Sequence, residues 1–301
     1  MALSNSNLIV KDSDGKIKFQ ISCYRLFLVF AVGHCSVTSA LIQDAKKFGF
    51  FIALMTPGFR LYQILGAEKE GNTLLRKKQY EYKSLDIAKH ITENKINNQL
   101  YELKSVRCKN DMIKEAIKTI SSYSAKISDV TTLNELMAYE GLSSKLYFKN
   151  HFNNVLWNGR QPRIKRDYIN SALDIGYTLL FTFTDALLCS YGFDTYCGVM
   201  HRQFYMRKSL VCDLVEPFRP IIDHTIKKAV NLGQIKSEDF MVINNQYRLK
   251  WKESAKYVKI LMTPLVEEKD MIFLYVQSYY RAFMKELPAN EFPVYEIGGE
   301  S

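Results

Sequence analysis

The sequence predicts an α+β fold, in which a small β-rich N-terminal domain (residues 1–80) precedes a larger all-α domain (residues 81–301). Two observations support this prediction. Up to Gly71, short apolar runs and alternating apolar and polar residues are separated by turn signals, which is the pattern of strands. Beyond Gly71 the apolar residues follow helical spacing, and few of the chain's seven prolines interrupt these segments.

The N-terminal part is predicted to contain one hairpin, inner strands and one short helix. Residues 12–15, Asp-Ser-Asp-Gly, are a turn signal between two strand-like segments. Residues 36–47 follow helical spacing, with Ser36 or Ser39 as N-cap and Gly49 as C-cap. The apolar run 26–33 is far shorter than the ~20 residues that span a bilayer, so we interpret it as a buried strand. The predicted strands are 7–10, 16–21, 26–33, 50–55 and 59–65.

The C-terminal part is predicted to be helical. Between residues 85 and 100, apolar residues recur on helical faces, and Asn, Lys and Ser dominate the polar faces. A long apolar helix is expected from Asp167 to Tyr191. Further helices are predicted at 213–230, 252–260 and 271–287, followed by an extended tail from Pro288.

The composition limits the possible function classes. Lys and Arg number 41 against 31 Asp and Glu, and this excess of ten favours nucleic acid or an anionic membrane surface as partner. Six cysteines without a CxxC pair argue against a zinc knuckle or a disulfide scaffold. The first residues lack the basic and apolar regions of a signal peptide, so a cytoplasmic protein with reduced thiols is expected. No nucleotide-binding glycine loop and no nucleophile elbow appears.

Four residues form the strongest candidate catalytic site: Glu140, His201, Asp213 and Glu216. Carboxylates with one imidazole suit a divalent cation such as Mg²⁺ or Mn²⁺ that keeps positions open for substrate. Asp213 and Glu216 are three residues apart, a spacing that places both on one face of a helix. Their apolar neighbours make unpaired acids costly. Taken alone, Glu140 fits equally well as a helix-capping residue or an arginine partner.

Basic residues close to this site indicate a polyanionic substrate. A metal ion acting on a polyanion indicates phosphodiester chemistry. The cations at 160–166 lie in a Gly- and Pro-containing segment, which fits both a phosphate-binding loop and an ordinary basic surface loop. The candidate DNA-binding residues are Arg160, Arg163, Lys165, Arg166, Arg202, Arg207 and Lys208.

At these residues the chain resembles the CRISPR-associated spacer integrases, the metal-dependent catalytic subunits of the CRISPR adaptation complex. The resemblance covers most of the chain, and Gly71-Asn72 with Gln79-Tyr80 is similar to the compact versions that accompany single-effector systems. Its most specific segments are Glu140–Phe148, Asp167–Tyr177, Gly192–His201 and Ser209–Pro220.

The resemblance implies that Glu140, His201 and Glu216 bind Mg²⁺ or Mn²⁺, with Asp213 either as a further ligand or as support behind the ligands. It implies that a 3′-hydroxyl of a short double-stranded DNA fragment attacks a phosphodiester of the CRISPR repeat. It also implies a homodimer, with two dimers bridged by a small partner subunit. Two alternatives stay open: a metal-dependent nuclease that uses water, and a non-catalytic basic DNA-binding protein whose acids pair with arginines.

Overall fold

The computed structural model describes residues 1–152, 155, 157, 159–162, 164–201 and 205–298. Short strands occupy the N-terminal part and helices dominate the rest, so the predicted α+β class is confirmed. The domain boundary at residue 80 stays a prediction. Arg163 and Arg202, two of the candidate DNA-binding residues, lie outside the described residues.

The N-terminal strands form two three-stranded sheets. The first sheet is antiparallel, and Asp12 holds the predicted hairpin turn by accepting hydrogen bonds from the backbone N–H groups of Asp14 and Lys16. In the second sheet the middle strand pairs in parallel with one neighbour and antiparallel with the other. The strands of the first sheet are β1 (Ala2–Ser4), β2 (Asn7–Lys11) and β3 (Ile17–Ser22), and those of the second are β4 (Leu28–Val32), β5 (Phe51–Met55) and β6 (Leu61–Gly66).

One helix, α1 (Ser39–Phe48), connects the parallel strands β4 and β5. Its C-cap is Gly49 as predicted, with a φ of 80° that glycine adopts without a Cβ penalty. The predicted N-cap at Ser36 or Ser39 is wrong, because the side chain of Thr38 accepts the hydrogen bond from the Leu41 N–H.

The long helix α6 (Tyr168–Tyr191) passes through the main core. It is long and apolar enough to cross a membrane by length and composition, but 67% of its apolar window is buried inside the protein. Asp167 caps its N-terminus by accepting a hydrogen bond from the Asn170 N–H. The helices of the C-terminal part are α2 (Thr73–Glu81), α3 (Asp86–Lys104), α4 (Asp111–Lys126), α5 (Leu133–His151), α6 (Tyr168–Tyr191), α7 (Ser209–Leu214), α8 (Arg219–Asn231), α9 (Ser254–Glu267) and α10 (Lys269–Met284).

The helical part also contains a small hairpin that the all-α description did not include. Strands β7 (Phe240–Ile243) and β8 (Gln246–Leu249) pair in antiparallel register. The turn residues Asn244 and Asn245 have φ values of 50° and 58°, as a two-residue hairpin turn requires. The Asn-Asn pair between short apolar segments was the signal for this hairpin.

The single helix predicted over 213–230 is interrupted. α7 ends at Leu214, a 3₁₀ turn covers Glu216–Phe218, and α8 begins at Arg219. Pro217 lacks the N–H that would continue the hydrogen-bond ladder. Asp213 and Glu216 therefore belong to different elements and point to different partners, contrary to the predicted shared helix face.

Helix α3 buries much of its polar face. Asn94 accepts from the Tyr295 N–H and donates to the Tyr295 carbonyl, at 3.0 and 2.7 Å. Asn98 donates to the carbonyls of Tyr295 and Pro217 and accepts from the Ile297 N–H. The two asparagines thus fix the C-terminal segment against α3 and connect it to the turn that carries Glu216.

Candidate active site

Two of the predicted ligands meet at a buried lysine. Glu140 lies on α5 and Glu216 lies in the 3₁₀ turn before α8, while Lys95 comes from α3. The Lys95 ammonium donates a hydrogen bond to Glu140 Oε1, and its Nζ lies 2.6 Å from Glu216 Oε2. The structure therefore brings Glu140 and Glu216 together around one cation, although 76 residues (216 − 140) separate them in the sequence.

The Glu216 carboxylate is buried, with 5% of its side chain exposed. Burial alone would raise its pKa, but Arg219 and Lys95 outweigh this effect and lower the pKa to about 2. Arg219 Nη2 lies 3.1 Å from Glu216 Oε1. For Lys95, burial lowers the pKa, but Glu140 and Glu216 together raise it above its usual value. Glu216, Lys95 and Arg219 are therefore charged at neutral pH.

Asp213 orients His201. Its carboxylate is fully buried and accepts hydrogen bonds from the backbone N–H groups of Val199, Met200 and His201. Its Oδ1 also lies 2.5 Å from His201 Nδ1. With Nδ1–H donated to the carboxylate, the other ring nitrogen, Nε2, keeps its lone pair for a metal ion. This arrangement fits the support role for Asp213, with His201 as the ligand, and both roles stay predictions.

The loop that carries His201 fits closely around Asp213. A Cβ at Gly198 would lie 2.6 Å from Asp213 Oδ2 and 2.8 Å from the Ser209 Cβ, so glycine is required there. The close fit fixes the backbone that leads to His201 against the Asp213 carboxylate.

The donor set fits the predicted ion. Two carboxylates already surround one cation, and carboxylates with one imidazole are donor types that suit Mg²⁺ or Mn²⁺. Within the described part of the chain, no three His, Cys, Asp or Glu side chains lie close enough together to share one ion. Ligation by Glu140, His201 and Glu216 stays a prediction.

The candidate DNA-binding residues divide into two groups. Arg160 is engaged inside the protein, where it bonds to Asn170 Oδ1 and pairs with Asp174 at 2.6 Å. Lys208 pairs with the buried Asp185, also at 2.6 Å. Both cations therefore have structural partners. Lys165, Arg166 and Arg207 have no ion-pair partner among the described residues, and Arg166 is exposed.

Sequence reasoning missed Lys95 and Arg219. Lys95 lies in Thr92–Gln99, a polar stretch of a helix whose polar residues suggest a solvated face. The presence of Asn94, Asn98 and Gln99 beside it was the available signal, because several amides near one lysine fit a satisfied, buried polar face. Arg219 follows Glu216 by three residues, a spacing suited to an ion pair across one turn.

Comparisons with known proteins concern the family and the fold of the chain. The family model described as "CRISPR associated protein Cas1" matches residues 1–262. The CRISPR-associated endonuclease Cas1 1 of Thermodesulfovibrio yellowstonii is 28% identical over 226 residues, covering 71% of each chain.

Two solved structures share the fold. A chain of a Cas6-RT-Cas1–Cas2 complex has a TM-score of 0.83 at 23% identity, over 98% of this chain and 35% of that one. A casposase bound to integration product has a TM-score of 0.80 at 23% identity, over 100% of this chain and 93% of that one. At that identity these two matches concern the fold, whereas the family model spans most of the sequence. The chain therefore belongs to the Cas1 family of CRISPR-associated proteins.

Proposed function

We propose that this protein is a metal-dependent DNA strand-transfer enzyme that inserts short DNA fragments into a CRISPR array. The observation that supports the proposal most directly is the pair of carboxylates, Glu140 and Glu216, around one cation. A non-catalytic role predicts acids paired simply with arginines. Glu216 does pair with Arg219, but Glu140 and Glu216 also share Lys95, and Asp213 holds His201 in the tautomer that a metal ligand needs.

In the proposed reaction, the 3′-oxygen of the incoming fragment forms a bond to a phosphorus of the repeat, and the repeat's own 3′-oxygen leaves. One phosphodiester replaces another, so no nucleotide cofactor is required. When bound, Mg²⁺ or Mn²⁺ would polarise the scissile phosphate and favour ionisation of the attacking hydroxyl. Glu140, Glu216 and His201 Nε2 would hold the ion, and Asp213 would keep the imidazole in place.

We also propose a homodimer as the working unit, since integration at both ends of one repeat needs two sites. The middle strand β5 offers little surface to a second copy, because Phe51, Ile52 and Ala53 are buried within the chain. The edge strand β3 is a better candidate, with Ile17 and Phe19 49% and 54% exposed on the same face. Light scattering should give about twice the 34.9 kDa chain mass, and a mass of one chain would exclude the dimer.

A small partner subunit completes the proposed assembly. A chain with the same fold comes from a complex that contains Cas2, which is consistent with such a partner. The activity test combines the protein and its partner subunit with a short labelled duplex and a supercoiled plasmid that carries a repeat. Label joined to plasmid in Mg²⁺ or Mn²⁺, and lost with a chelator, is expected. Cleavage without joining would favour the water-using nuclease.

Neutralising Lys165 and Arg166 together should weaken duplex binding and make it less sensitive to salt. Each lost phosphate contact reduces the slope of log affinity against log salt by about 0.9, so a decrease of about 2 is expected. Fluorescence anisotropy across a salt series measures this slope. The matched control removes Lys114 and Lys118, exposed lysines of α4. An unchanged slope in the Lys165/Arg166 variant would show that this segment does not contact phosphate.

A further inference from the structure

Lys95 lies where an ion held by Glu140 and Glu216 would have to bind. Its ammonium contacts one oxygen of each carboxylate, and its side chain is only 6% exposed. Arg219 pairs with the other oxygen of Glu216. The two carboxylates are thus balanced by two side-chain cations, so the site is neutral before any metal ion binds.

We propose that Lys95 is a resident counter-ion that the divalent cation must displace in order to bind. The proposal rests on the proposed function, because it takes Glu140 and Glu216 as the ligands. A divalent ion between these carboxylate oxygens and an ammonium in the same place would repel each other strongly, since little water screens a buried site. The affinity for the ion is therefore reduced by the cost of moving Lys95.

A nearby acceptor is available for the displaced ammonium. Gln99 lies four residues after Lys95, on the same face of α3. Its Nε2 donates to Ser144 Oγ, and Ser144 Oγ donates to Glu140 Oε1, so the amide belongs to the same hydrogen-bond network. Gln99 Oε1 is buried and has no hydrogen-bond partner among the described residues. We infer that this oxygen receives the lysine when the ion binds.

Isothermal titration calorimetry, with Mn²⁺ added to the DNA-free protein, tests the proposal. Lys95→Met should bind Mn²⁺ at least about tenfold more tightly than the wild type, because a buried positive charge beside the ion has been removed. Lys104→Met, which removes an exposed lysine from the same helix, should match the wild type. Lys95→Gln serves as a second variant in case the methionine variant does not fold.

The melting temperature gives an independent measurement. Lys95→Met leaves two carboxylates close together without their shared cation, so Mn²⁺ should raise its melting temperature more than that of the wild type. Equal or weaker Mn²⁺ binding by both Lys95 variants would overturn the proposal, while saturable binding that Glu216→Gln removes would leave the proposed function intact. Absence of Mn²⁺ binding in every variant would overturn both.

Discussion

Glu216→Gln is expected to abolish strand transfer, with a loss of more than about 10³-fold, while duplex binding stays within twofold of the wild type. The amide keeps the size of the side chain but removes the charge that a divalent ion needs. Loss of a group that merely supports a metal ligand lowers metal affinity or activity by about 10–100-fold, so loss of a ligand should lower activity further. Joining of labelled duplex to a repeat plasmid measures the first effect, and anisotropy measures the second.

The matched control is Glu267→Gln, which neutralises an exposed glutamate near the end of α9. It should retain both joining and binding. Wild-type joining by Glu216→Gln would remove this residue from the reaction. Loss of duplex binding together with joining would mean that Glu216 maintains the DNA-binding surface instead.

Asp213→Asn is expected to weaken Mn²⁺ binding by about 10–100-fold without eliminating it, and to lower the free energy of unfolding by about 3 kcal/mol. The asparagine amide would present N–H groups to the backbone donors of Val199 and Met200, which the carboxylate oxygen now accepts. With the amide turned the other way, its N–H₂ group would face His201 Nδ1, and His201 would lose the acceptor that fixes its tautomer. Calorimetry with Mn²⁺ and urea unfolding measure the two effects.

Asp185→Asn is the control that distinguishes a loss of His201 positioning from a general loss of protein stability. Asp185 is also fully buried and paired with a cation, Lys208, so its substitution should cost comparable stability. Its Mn²⁺ affinity should not change. If Asp213→Asn lost Mn²⁺ binding as completely as Glu216→Gln, Asp213 would be a ligand and its assigned support role would be wrong.

Local signals predicted much of the fold correctly. The hairpin at residues 12–15, the C-cap at Gly49 and the limits of α6 each depend on a few adjacent residues. The hairpin β7–β8 has an equally local signal in Asn244-Asn245, but it was not among the predicted elements. A few adjacent residues are therefore enough to predict where a strand or helix ends, wherever they form a clear turn or cap signal.

The site was predictable in its acids and less so in its cations. Glu140 and Glu216 were identified as partners, whereas Lys95, which connects them, was not. Periodicity separates the two faces of α3 but does not show which face is buried, because ion pairs and amide hydrogen bonds can satisfy a polar face inside the protein. Likewise, the sequence suggested that Arg160 is available to bind DNA, whereas in the structure it is bonded to Asn170 and Asp174 of α6.

Diffraction from crystals grown with Mn²⁺, with anomalous scattering recorded for manganese, tests the central claim most directly. One strong peak is expected within ligand distance of the Glu140 and Glu216 carboxylates and His201 Nε2, since such distances are about 2 Å. Asp213 should remain hydrogen-bonded to His201 Nδ1, and Lys95 should have left the carboxylate pair. A peak bound to Asp213 and away from Glu140, or no peak near these residues at saturating Mn²⁺, would contradict the account.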